Sequence, residues 1–135
     1  MNERYLFRGK QKDNGKWVEG DLMQWNNGTM RICVEDGDDS KIARTVIPET
    51  VGQCTGLKDK NGKLIFEGDV VIDKYSCESF GFVGVVIYNN ELTQFQIFNK
   101  HQPQYVVNLG SRRDSIRILG NIHDNPEWVN RSDTE

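Results

Sequence analysis

The chain has 135 residues, 36% of them hydrophobic and 27% charged, with a formal net charge of −3. Those values describe one ordinary domain, or two small subdomains sharing a core, and exclude a disordered or fibrous chain. No apolar run nears the length of a membrane span, and the acidic balance disfavours a general attraction to nucleic acid.

In chain order the sequence reads as strands. Between Tyr5 and Ile122 no apolar pattern of helical period extends beyond two turns, whereas short β-branched and aromatic runs recur between Gly, Asn and Asp. Residues 5–7 and 17–25 flank an Asn14-Gly15 turn, and Asn26-Asn27-Gly28 leads into a strand over 30–34. The acidic tip Glu35-Asp36-Gly37-Asp38-Asp39 returns the chain into a strand over 42–47. Pro48 breaks the ladder because proline has no amide to donate, which sets a subdomain boundary there. Further strands are expected over 63–66, 68–74, 82–88, 94–98, 105–109 and 115–119, with a long loop over 75–81. Asn125-Pro126 then opens a tail holding one or two helical turns at most, since Asn caps and Pro suits a first helical position.

The strongest internal signal is a repeat. Residues 9–22, G-K-Q-K-D-N-G-K-W-V-E-G-D-L, recur as residues 56–70, G-L-K-D-K-N-G-K-L-I-F-E-G-D-V, with one inserted residue. Asn14-Gly15 and Asn61-Gly62 suit the centre of a two-residue hairpin turn, where both positions take φ > 0. Gly20-Asp21 and Gly68-Asp69 mark where a strand bends or restarts, so both glycines are expected at matching kinks. The resulting fold class is all-β. An N-terminal antiparallel meander over 1–48 packs on a small C-terminal barrel of the SH3-like kind over 49–125, with a tail over 126–135.

Three segments carry a family resemblance: F-R-G-K-x(4)-G-K-W-V-E-G-D-L over 7–22, I-P-E-T-V-G-Q-C-T-G-L-K-D-K-N-G-K-L-I-F-E-G-D-V-V over 47–71, and L-G-N-I-H-D-N-P-E over 119–127. They resemble the YopX family of small phage and prophage proteins of Gram-positive bacteria. Cys54 and Ile47 depart from the family pattern at positions that read as structural. The resemblance implies a mostly-β fold with an SH3-like C-terminal half and residence in the bacterial host cytoplasm. It implies no catalytic residues, because the family has no activity to carry over.

The residues themselves offer few sites. Asp21 and Asp69 form a repeat-related carboxylate pair, but hydrogen bonds to backbone amides at a kink explain them more simply than acid–base catalysis. The tip at 35–39 lacks the spacing of a calcium loop. His101 and His123 lack the paired spacing of a zinc site, so neither metal nor cofactor is expected. Cys33, Cys54 and Cys77 are widely spaced without C-x-x-C and read as free thiols of a reducing compartment. The start, Met1-Asn2-Glu3-Arg4, shows no secretory signal. Arg112, Arg113 and Arg117, with Tyr105 to stack a base, are the candidate nucleic-acid contacts, although local salt bridges are the simpler reading. Tyr75, Phe80 and Phe82, around the first barrel loop, are candidate ligand-facing aromatics. Trp17 and Trp25 read as packing anchors.

Three functions follow in descending order. The first is a non-catalytic module that binds an unidentified protein partner or itself in a homo-oligomer. The second binds nucleic acid through the Arg112–Arg117 segment. The third is an enzyme assembled from scattered residues such as Asp21, Asp69 and His123. No membrane association is expected.

Overall fold

The structure is a computed structural model of the chain and describes residues 2–74, 81–105, 107–112 and 114–130. Its strands are β1 (Phe7–Lys10), β2 (Trp17–Gln24), β3 (Met30–Glu35), β4 (Lys41–Val46), β5 (Gly52–Lys58), β6 (Leu64–Phe66), β7 (Asp69–Asp73), β8 (Phe82–Asn89), β9 (Gln94–Phe98), β10 (Val107–Asn108) and β11 (Ile116–Asn121). One helical turn, α1 (Glu127–Asn130), follows, so the fold is all-β as the strand-rich sequence predicts. No helix among the described residues is long and apolar enough to cross a membrane. The chain divides into two compact units, Met1–Gly56 and Leu57–Glu135. One sheet has the order β4-β3-β2-β1-β5-β6 and the other β10-β9-β8-β7-β11.

In the N-terminal unit the alternation of side chains sets two unlike faces. Registers Gly9 with Val18, Leu22 with Ile32 and Ile32 with Arg44 place Gly9, Val18, Leu22, Ile32 and Val46 on one face. Ile32 and Val46 there are fully buried. Trp17, Met23, Arg31 and Cys33 fall on the other face. Arg8 and Lys10 lie over the Trp17 ring, 4.8 and 5.6 Å from its centroid. The meander also curls. Gln11 bridges Val46, the Ile47 amide donates to the Lys10 carbonyl at 2.8 Å, and the Lys12 amide to that of Thr45 at 2.9 Å. Gly9 permits this approach, since a Cβ there would stand 3.1 Å from the Val46 Cβ.

The repeat folds as two hairpin turns, but not as the two-residue type. Gly15 and Gly62 take φ +71° and +85°, whereas Asn14 and Asn61 do not enter the left-handed region. In the second copy the Gly62 amide donates to the Asp59 carbonyl and the Asp59 amide to that of Lys63, a type I turn closed by a left-handed glycine. The first copy is one residue wider, with the Gly15 amide bonded to Gln11 and the Gln11 amide to Lys16. The difference is chemical: Asp59 accepts from the Asn61 and Lys63 amides at 2.9 and 3.0 Å, while Lys12 stands at its equivalent.

The matching kinks also separate. Gly68 takes φ +93° in the turn between β6 and β7. Gly20 instead remains within β2, where an added Cβ would fall 1.9 Å from the Cys33 carbonyl oxygen. The second copy, one residue longer, is divided into β6 and β7 where the first runs on as β2.

In the C-terminal unit Ile65, Val71, Val86, Ile97, Leu109 and Ile116 form the core, flanked by Phe82, Phe95 and Ile118. The expected closure of this half into an SH3-like barrel is not found. The sheet ends at β10 and β11, and no ladder joins these two strands among the described residues. The β11 edge is instead capped by the turn after β5. The Lys60 amide donates to the Ile116 carbonyl at 2.9 Å, and the Ile118 amide donates to Asp59 Oδ2 at 3.1 Å. A carboxylate and an amide thus stand where a further strand would place its carbonyl and amide, which blunts the edge.

Candidate functional site

β7 and β8 carry apolar residues without alternation, Val70-Val71-Ile72 and Val83 to Ile87, so both faces of their sheet are apolar. Registers Val71 with Gly84 and Val86 with Ile97 direct one set to the core. The other set, Val70, Ile72, Val83, Val85, Ile87 and Phe98, forms the outer face. On it lies a cleft of about 220 Å³, walled by Val70, Val83, Val85, Phe98, Ile122 and Trp128. Apolar walls with a few polar groups are the usual make-up of a recognition site.

The wall carrying Ile122 and Trp128 is set by side-chain-to-backbone bonds, as expected of Asn and Asp in turns. Asn121 Oδ1 accepts from the His123 and Asp124 amides at 3.0 and 2.9 Å. Gly120 admits Asn125, whose Oδ1 would stand 2.3 Å from a Cβ at that position. The Ile122 amide then donates to the Gly68 carbonyl at 3.0 Å, and the Gly68 amide to that of Val86 at 2.8 Å. The E-G-D-V and L-G-N-I-H-D-N-P-E segments therefore meet beside the cleft.

The buried carboxylates of this unit serve the backbone and local donors. Asp69, 3% exposed, accepts from the Phe66 amide at 2.8 Å. Asp73 accepts from the Ser115 hydroxyl at 2.6 Å and lies 3.4 Å from Arg112 Nε. Burial pushes the Asp59 carboxyl up, but the Ile118, Lys63 and Asn61 amides together outweigh it and hold Asp59 below the ordinary carboxylate value.

The sequence-derived candidates do not gather into one site. Asp21 is exposed and pairs with Lys41 at 3.1 Å, which raises the Lys41 pKa, so it shares no environment with buried Asp69. Arg112 is engaged by Asp73 toward the core, whereas Arg117, paired in register with Ile72, belongs to the outer face. Phe82 packs against the core and meets Tyr105 edge-on at 6.0 Å. Tyr75, Phe80 and Arg113 lie outside the described residues. His101 is exposed, and the His123 amide is part of the Asn121 turn. No group of three or more His, Cys, Asp or Glu is placed to hold a metal among the described residues. Sequence reading missed the cleft. Its signal was the unbroken apolar runs of β7 and β8, which mark a sheet covered on both faces.

The YopX protein family matches residues 6–130. The chain belongs to the YopX family. No functionally curated protein matches it. Among solved structures it is similar to protein EF1440 from Enterococcus faecalis, at 21% identity and a TM-score of 0.48, over 91% of this chain and 96% of that one. The cleft residues 70–128 of this YopX protein fall inside the family match.

Proposed function

We propose that this YopX protein is a non-catalytic module that binds a protein partner through the outer face of its C-terminal sheet, as a phage or prophage accessory protein in the bacterial cytoplasm. The observation that supports this reading is the apolar cleft, where Val85, Ile87 and Phe98 remain accessible. Apolar surface of this kind gains free energy when a partner covers it. A binding role also suits the carboxylates, since Asp59, Asp69 and Asp73 are committed to structural hydrogen bonds.

The test is paired. Affinity capture from the host is compared for the wild-type chain, for Ile87→Glu in the cleft and for Met23→Glu on the N-terminal sheet, with folding checked by thermal melts. Partners lost with Ile87→Glu and kept with Met23→Glu support the reading. The same partners retained by both variants refute it.

A nucleic-acid role draws little from the site, because Arg112 is tied to Asp73. Labelled DNA and RNA titrated by anisotropy are expected to give only weak, salt-sensitive association. A tight complex weakened by Arg117→Ala would restore that role.

A further inference from the structure

One end of the cleft carries cations among the described residues. Arg117 lies beside Ile72, and Ile72 beside Val83, in one cross-strand row of the outer face. Lys100 follows β9 two residues after Phe98 and lines the cleft. Lys74 continues the alternation of Val70 and Ile72. A Cβ on Gly81 would stand 2.7 Å from Ile72 Cγ1 and 2.9 Å from Lys74 Cγ, so both side chains project to the same side of the sheet. All three cations are exposed, and no ion pair to a carboxylate is found for them among the described residues. In a chain of net charge −3, Lys100 in the cleft lining and Lys74 and Arg117 on the same sheet face beyond it form a local positive field. The opposite end, where Ile122 and Trp128 stand, adjoins Glu127.

We propose that the cleft recognises an acidic protein segment, which inserts an apolar side chain between Val85, Ile87 and Phe98 and lays carboxylates along Lys74, Lys100 and Arg117. The proposal rests on the protein-binding reading and adds the chemistry of the partner. The apolar walls supply contact area without direction. The cations supply polarity, fixing which end of the segment carries its acids and rejecting basic segments by like-charge repulsion. Lysine and arginine at the rim, rather than within the walls, keep their charges hydrated until the partner arrives, so the free cleft bears no buried-charge penalty.

The test uses the isotope-labelled full chain and three synthetic peptides sharing a Leu-Phe centre, with flanks of Glu, Gln or Lys. The Glu-flanked peptide is expected to shift the amides of Val85, Ile87 and Phe98. It should bind at least about tenfold more tightly than the Lys-flanked one, about 1.4 kcal/mol, with the margin narrowing as salt is added. The double variant Lys100→Glu, Arg117→Glu, at two exposed positions, should reverse that order while leaving the remaining spectrum unchanged. Equal binding of all three peptides at the cleft would overturn the charge preference and leave protein binding standing. Shifts that avoid the cleft with every peptide would overturn both. Light scattering supplies a further arm. A mass at a multiple of 15.5 kDa that falls to one copy on Lys100→Glu would make the acidic 35–39 tip of a second copy the occupant, against a separate partner.

Discussion

Replacing Asp59 should uncouple the turn after β5 from the edge of β11. The carboxylate is 6% exposed and accepts from three amides, those of Asn61 and Lys63 on Oδ1 and of Ile118 on Oδ2. In Asp59→Ala the Ile118 amide loses its partner in a part-buried setting, which costs about 1–3 kcal/mol. Losing the turn bonds costs about 1 kcal/mol more, by analogy with a helix cap. The expected destabilisation is therefore about 2–4 kcal/mol. Asp59→Asn retains one acceptor and turns an amide group toward another donor, so it should fall between wild type and Asp59→Ala.

The charge adds a pH signature. The folded pKa lies below the ordinary aspartate value of 3.8, so the stabilisation from this group is fully present above that value and is lost as pH falls through the folded pKa. Urea denaturation at a series of pH values should show the gap between wild type and Asp59→Asn constant near neutrality and narrowing below pH 3.8. Amide exchange should show Ile118 less protected in both variants. Parallel stability curves for wild type and Asp59→Asn throughout the acid range, with Ile118 protection unchanged, would refute the edge-cap reasoning.

Further outcomes follow from other contacts. Gly20→Ala should destabilise the N-terminal unit more than Gly15→Ala. The first drives a Cβ to 1.9 Å from a backbone oxygen, whereas the second meets nothing within 4 Å and costs only the left-handed conformation, about 1–2 kcal/mol; thermal melts that rank them oppositely would contradict this. Cys33, half-buried with its Sγ 3.2 Å from Met23 Sδ, should alkylate in the native protein, while fully buried Cys54 should react only on unfolding, as peptide-resolved mass spectrometry would show. Arg112→Ala should lower stability by about 1–3 kcal/mol, because Asp73 stays buried with one partner fewer, and an unchanged melt would show that the pair contributes nothing.

Much of the fold was legible because strands and turns are written locally. Apolar runs located β2, β3, β4, β7, β8, β9 and β11, and Gly15, Gly28 and Gly62 marked turns where a left-handed residue is needed. β5 was not legible. Its sequence G-Q-C-T-G-L-K holds two glycines and no clear period, and its place comes from pairing with β1, Phe7 to Gln53 and Arg8 to Gly52. The turn geometry was half legible: glycine fixed the sign of φ, but the bonds to Asp59 set the loop length.

The sequence by itself determined that this is a β protein of the YopX family, made from a repeated hairpin whose glycines take up unusual backbone. Tertiary structure alone decided the rest. It turned Gly20 into a contact between strands, joined the meander's ends at Gln11 and Val46, set Asp59 against β11, and left an apolar face beside Lys100 and Arg117. The physical reason is range. A turn depends on a few adjacent dihedrals and side chains, whereas strand order, and with it which apolar face stays uncovered, depends on partners that sequence separation conceals.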